Sequence, residues 1–129
     1  MKAMVTGGAG FIGSTLVDRL LAEDWRVDAV DDLSTGSLAN LAVARAQPDR
    51  RFSFHRIDVS SPGVVDLIAH RRPDVIFHLA AQADVRVSVA RPVFDATVNI
   101  LGTLNVCEGA VAAGVSKVVF AASGGTLYG

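Results

Sequence analysis

The stretch Val5-Thr6-Gly7-Gly8-Ala9-Gly10-Phe11-Ile12-Gly13 constrains this chain more than any other. Residues 2–6 read as a strand, the glycines as a tight turn, and an apolar pattern of helical period begins at Phe11. Glycines without Cβ atoms let the backbone approach a ligand closely, and the first turn of a helix offers free N–H groups and the positive end of its dipole. A strand, turn and helix of this kind is a cradle for a pyrophosphate. The spacing reads both as Gly8-x-Gly10-x-x-Gly13 and as Gly7-x-x-Gly10-x-x-Gly13, and each is a dinucleotide-binding fingerprint. A P-loop requires Lys followed by Ser or Thr after its last glycine. Here Ser14 and Thr15 follow Gly13 directly, so that alternative fails.

The chain has 129 residues, half of them hydrophobic, enough for one domain (residues 1–129) with its own core. A net charge of −1 gives no electrostatic footprint for nucleic acid or membrane. Lys2 and the apolar residues after it are cut short at Gly7, too early for a signal peptide, and no later stretch is expected to reach the length of a membrane span. The single cysteine, Cys107, falls in an apolar helical pattern and is expected to be a buried thiol. A cytoplasmic protein is the default.

Phe11, Ile12, Leu16, Leu20 and Leu21 recur at helical spacing, predicting an amphipathic helix that ends near Asp24. A second strand, alternating over residues 26–30, stops at Asp31-Asp32. Asp31 stands close to the spacing at which a carboxylate at the end of the second strand accepts hydrogen bonds from the adenosine ribose. Carboxylates there favour NAD over NADP, whose extra phosphate they repel. The alternative is that Asp31 merely opens the turn Leu33-Ser34-Thr35-Gly36. Residues 38–46 read as a short helix before Pro48, and residues 52–57 as a third strand alternating around His55. Asp58-Val59 then stand at the carboxyl edge of the sheet, where ligands bind in doubly wound folds; Asp58 serves equally well as a cap for a helix over residues 64–70.

The run Val75-Ile76-Phe77-His78-Leu79-Ala80-Ala81 suits a strand buried on both faces of a parallel sheet, with His78 a satisfied core histidine. Beyond it, small residues leave room for a flat group, and Gln82 and Asp84 add polarity. A loop or short helix over 84–91 leads to Pro92, which opens a helix over residues 92–113, apolar nearly all round and closed by Gly114. Such a helix needs cover on more than one side. Asn99 within it either makes a local hydrogen bond or faces solvent, or else points at the ligand crevice. A fifth strand over 117–122 completes a βα repeat, predicting a Rossmann-type three-layer α/β sandwich with a parallel sheet of order 3-2-1-4-5, cut off after the fifth strand.

With these segments in place the sequence resembles the extended short-chain dehydrogenase/reductases, specifically the NAD-dependent nucleotide-sugar epimerases and dehydratases, with the UDP-glucose 4-epimerase branch the nearest match. The resemblance spans the whole chain. It rests on the opening glycine stretch through Ser14, on Asp31-Asp32-Leu33-Ser34-Thr35-Gly36, on Asp58-Val59, on His78-Leu79-Ala80-Ala81-Gln82, on Val98-Asn99-Ile100-Leu101-Gly102-Thr103, and on the ending from Ser123 to Gly129. It implies NAD held by Gly7, Gly10, Phe11, Ile12, Gly13, Asp31, Asp32, Leu33, Ser34, Thr35, Gly36, Asp58, Val59, Leu79, Ala80, Ala81, Gln82, Ala83 and Asn99, with no metal. It implies interconversion of UDP-glucose and UDP-galactose by transient oxidation at C4, a Tyr-x-x-x-Lys acid/base pair, and a homodimer of the full-length protein.

Two departures stand out. No Tyr-x-x-x-Lys occurs, since Tyr128 belongs to the family's Tyr-Gly ending, and Gly124 takes the place of the usual hydroxyl, leaving Ser123 and Thr126 beside it as candidate catalytic groups. Gly124-Gly125-Thr126 also differs from the Thr-Asp-Glu of the dehydratases, which disfavours dehydration. The expectation is the NAD-binding amino-terminal portion of an epimerase, inactive alone; the alternative is a stand-alone dinucleotide-binding regulatory module.

Overall fold

The computed structural model describes residues 1–123. Five parallel strands, β1 (Lys2–Thr6), β2 (Arg26–Asp31), β3 (Phe52–Arg56), β4 (Val75–His78) and β5 (Lys117–Phe120), form one sheet in the order β3-β2-β1-β4-β5. The reversal of direction falls between β1 and β4, whose registers pair Ala3 with Val75 and Thr6 with His78. Ligand crevices open at that point in sheets of this class.

Strand periodicity divides the core in two. Ala3, Val5, Val27 and Ala29 point to one face and pack with Val17, Leu20 and Leu21 of α1 (Phe11–Ala22) and with Leu41 and Ala44. The latter two come from a 3₁₀ turn (Leu38–Leu41) and the short α2 (Ala42–Arg45). Met4, Val30 and Ile76 point to the other face, against Val64 and Ile68 of α3 (Gly63–Arg71) and Val106, Ala110 and Ala113 of α6 (Gly102–Ala113). With both faces covered, β2 is buried at four consecutive positions rather than alternately. Gly109 lets α6 lie on α3, since a Cβ there would stand 2.9 Å from Ile68 Cδ1.

Several expectations need correction. The buried face of α1 is Gly13, Ser14, Val17, Leu20 and Leu21, while Phe11 and Ile12 are 88% and 70% exposed. The cause is the contact between Gly13 and the glycine turn, which fixes the helix's rotation and sends its first two side chains outward. β4 ends at His78: the Leu79 amide still donates to Thr6 O at 3.1 Å and shares its proton with the Thr6 hydroxyl, and the Ala80 amide turns to that hydroxyl. The predicted helix over 92–113 is α5 (Pro92–Ala96), a π-helical turn (Thr97–Leu101) and α6, preceded by α4 (Val85–Ala90). Cys107 is exposed, since the buried stripe of α6 passes through Val106 and Ala110 and leaves Cys107 one helical step outside it. Residues 92–113 do reach the length and hydropathy of a membrane span, contrary to expectation, yet α6 lies against α3 with Val106, Ala110 and Ala113 in the core.

Candidate dinucleotide site

At the carboxyl edge of the sheet a cleft of about 540 Å³ opens above the glycine turn. Its floor is made by the turn itself. Gly7 has φ of +69°, and a Cβ on it would meet the Leu79 and Ala80 backbone at 2.9 Å. Gly13 is more constrained still, since a Cβ would stand 2.0 Å from Gly7 O. Gly10 is the N-cap of α1 and supplies no side-chain cap, so the first-turn amides of Phe11, Ile12 and Gly13 receive none from it. That is the arrangement an anion completes.

Ala9 ties the turn to the second strand. Its N–H donates to Asp31 Oδ2 at 3.0 Å, and its carbonyl accepts from Ser37 N at 3.0 Å and Asn40 Nδ2 at 2.8 Å. Asp31 Oδ1 accepts from Leu33 N at 2.8 Å, which holds Leu33 at φ of +63°. A residue other than glycine seldom adopts that left-handed conformation, and here the bond to the carboxylate holds it. Two backbone bonds leave Asp31 with further acceptor capacity, since a carboxylate offers about four lone-pair directions. Asp32 Oδ1 accepts from the Ser34 amide and hydroxyl at 2.9 and 2.7 Å, and Asp58 Oδ1 accepts in the same way from Ser60. Asp58 is therefore the head of a local turn and not the cap of α3, whose N-cap is Pro62.

The remaining wall is the loop after β4. His78 is almost fully buried; its Nδ1 lies 2.6 Å from Thr6 Oγ1 and its Nε2 3.0 Å from Thr103 Oγ1. Burial pushes its pKa down, so it stays neutral and structural, as the sequence predicts. Asn99, in the π-helical turn, spends its amide on the wall: Oδ1 accepts from Gln82 N at 2.7 Å, and Nδ2 donates to Gln82 O at 2.9 Å.

Of the predicted cofactor residues, Gly7, Gly10, Asp31, Asp32, Ser34, Thr35, Gly36, Asp58, Val59, Leu79, Ala80, Ala81, Gln82 and Ala83 line this one cleft. Phe11, Ile12, Gly13, Leu33 and Asn99 stand behind or beside it, and Ser123 is not among its lining residues. Thr126 lies outside the described residues. Val87, Arg91, Phe94 and Val98 also line the cleft and went unpredicted, although their spacing of four, three and four is a helical stripe. Arg91 is the one cation among the described lining residues, and its guanidinium lies 4.4 Å from the Phe94 ring centre.

The residues present fit a dinucleotide. An uncapped helix start matches a pyrophosphate, the carboxylates of Asp31 and Asp32 suit ribose hydroxyls and oppose an added phosphate, and the small side chains after β4 leave space for a flat ring.

The sequence pattern of the NAD dependent epimerase/dehydratase family matches residues 3–129. A UDP-glucose 4-epimerase of Mycolicibacterium smegmatis is 51% identical over 129 residues, which is 100% of this chain and 41% of that protein. Among solved structures, the UDP-glucose 4-epimerase of Thermus thermophilus in complex with NAD is similar, with a TM-score of 0.85 and 44% identity over 96% of this chain and 38% of that one. So is the UDP-glucose 4-epimerase of Thermotoga maritima with UDP-glucose, with a TM-score of 0.86 and 40% identity over 97% of this chain and 38% of the other. This chain thus spans well under half the length of these relatives. Fold, glycine cradle and matched pattern together establish that the chain belongs to the NAD-dependent epimerase/dehydratase family.

Proposed function

We propose that this chain is the NAD-binding portion of a UDP-sugar 4-epimerase, with UDP-glucose and UDP-galactose as the parent enzyme's substrates. The observation that carries the proposal is the uncapped start of α1 beside Asp31, in a cleft that small residues after β4 leave open and that Val59, Leu79, Phe94 and Val98 also line. NAD, when bound, supplies a hydride acceptor that can return the hydride to the sugar. Everything else falls to the protein. The first-turn amides of Phe11, Ile12 and Gly13 hold the pyrophosphate, with Gly7 and Gly10 giving it access. Asp31, supported by Asp32, accepts from the adenosine ribose, while Asp58 and Val59 border the adenine. The segment from Leu79 to Ala83, held by Asn99, walls the other half of the cleft.

The hydroxyls of Ser123 and Thr126 are this chain's candidates for assisting proton transfer, beside a Tyr-x-x-x-Lys pair contributed by the rest of the parent. A lysine next to the tyrosine would lower its pKa by proximity of charge and let it act as a base near neutral pH. In the parent, the exposed apolar side chains Ile100, Leu101 and Leu104 are the surface we assign to a homodimer. The reaction is tested on a protein carrying the downstream coding sequence. UDP-galactose turnover by that protein and not by residues 1–129 alone is the expected result. A stop codon directly after Gly129 would favour a binding module instead, and turnover by the 129 residues alone would overturn the division of labour proposed here.

A further inference from the structure

One carboxylate near the cleft belongs to no role assigned so far. Asp95 Oδ1 accepts three hydrogen bonds, from Ser88 Oγ at 2.6 Å, Gln82 Nε2 at 3.0 Å and Asn99 Nδ2 at 3.2 Å. The donors come from α4, from the loop after β4 and from the π-helical turn. All three are neutral, and Asp95 has no ion-pair partner among the described residues. Hydrogen bonds to an ionised acceptor are stronger than neutral ones, so this oxygen is a firm junction between three segments.

The junction ends a chain of bonds that runs from the central strand β1 to the cleft wall. Thr103 Oγ1 donates to Asn99 O at 2.9 Å and therefore accepts from His78 Nε2–H. That leaves His78 Nδ1 to accept from the Thr6 hydroxyl, whose oxygen in turn accepts from Leu79 N at 3.1 Å and Ala80 N at 3.2 Å. The loop over residues 79–84 has no regular secondary structure, and Ala80, Ala81 and Ala83 have no polar side chain with which to fix it. It is pinned at its start by Thr6 and at Gln82 by Asn99 and Asp95.

Resting on the NAD-binding assignment above, we propose that Asp95 is a cofactor-positioning residue: through Gln82, Ser88 and Asn99 it presets the cleft wall that receives the nicotinamide half of the dinucleotide. Topology separates the two halves. Asp31, the last residue of β2, and Asp58, just past β3, serve the adenosine side, the glycine turn after β1 takes the pyrophosphate, and the wall after β4 faces the rest. Asn99 accordingly acts through the wall.

The test compares NAD with ADP, which lacks the nicotinamide half, in calorimetric titrations of the wild type, Asp95→Leu, Asp95→Asn and Ser88→Ala. Asp95→Leu should weaken NAD by about tenfold while leaving ADP within about twofold, since it removes bonds to a charged acceptor but leaves the glycine cradle intact. Asp95→Asn retains an acceptor oxygen and should restore NAD affinity to within about threefold of the wild type. If Asp95→Leu does not fold, Ser88→Ala loses the shortest of the three bonds and should show the same split at about threefold. Equal affinity of variants and wild type for NAD, or parallel loss of NAD and ADP, overturns the positioning role. A wild type that binds neither ligand overturns the NAD assignment itself.

Discussion

Gly13→Ala is the sharpest perturbation of the glycine cradle. The added methyl would stand 2.0 Å from Gly7 O, 2.8 Å from Gly7 C and 3.0 Å from Gly8 Cα, all backbone atoms with no rotamer to move away. Overpacking of this kind costs about 1–3 kcal/mol, against which Ala offers at most about 1 kcal/mol of helix propensity over Gly. A contact of 2.0 Å with backbone puts the cost at the upper end of that range, so the net loss is about 2 kcal/mol, a fall in Tm of roughly 5–10 °C for a domain of this size. Because α1 must back away from the turn, its amides also leave the pyrophosphate position, and NAD affinity should fall by at least about tenfold. Gly10→Ala is the control. Its methyl meets only Gly7 O, at 3.3 Å, and Gly10 lines the cleft, so affinity should fall with Tm changed by no more than about 2 °C. Thermal unfolding followed by circular dichroism, paired with NAD titration, separates the two. A Gly13→Ala protein with native Tm and native affinity would refute the cradle geometry.

Other outcomes follow from the core and its charges. Asp28 is opposed by burial, but hydrogen bonds from His55 at 2.8 Å and from Arg71 outweigh it and hold its pKa below the ordinary 3.8. Its folded pKa being depressed, it contributes stability present above pH 3.8 and lost as pH falls toward the folded value; Asp28→Asn should flatten that part of an acid-unfolding curve. Gly109→Ala brings a methyl to 2.9 Å from Ile68 Cδ1 and 3.1 Å from its Cβ, so even after the helix propensity of Ala is credited, stability should drop by up to about 2 kcal/mol in urea unfolding while NAD affinity of the folded protein is unchanged. Sedimentation of the longer parent should show a dimer, and Leu104→Asp should shift it to monomer.

The sheet order and the cradle were readable because they rest on local rules. Apolar runs such as residues 75–78, bounded by turn residues, suit strands covered on both faces, and a strand, three glycines and a helix bring backbone amides to one point. The orientation of α1 was not readable. Apolar spacing favoured Phe11 and Ile12 as core residues, but the contact of Gly13 with Gly7 decides the rotation, and such a contact is invisible until the turn is folded. Cys107 was misplaced for a related reason: a helix apolar on all sides carries no signal for which stripe is buried, and the small residues Gly109, Ala110 and Ala113 chose it by letting α3 approach. Asn99 was recognised as the odd polar residue, yet its partners Gln82 and Asp95, with Ser88 bonded to both of them, meet only where α4, the π-helical turn and the loop after β4 converge.

The central claim is that this cleft takes NAD in preference to NADP. Calorimetric titration of the protein with each dinucleotide tests it directly. Saturable one-to-one binding of NAD, with NADP at least about tenfold weaker because its 2′-phosphate meets the Asp31 and Asp32 carboxylates, is the predicted result. Absence of NAD binding, or tighter binding of NADP, would contradict it.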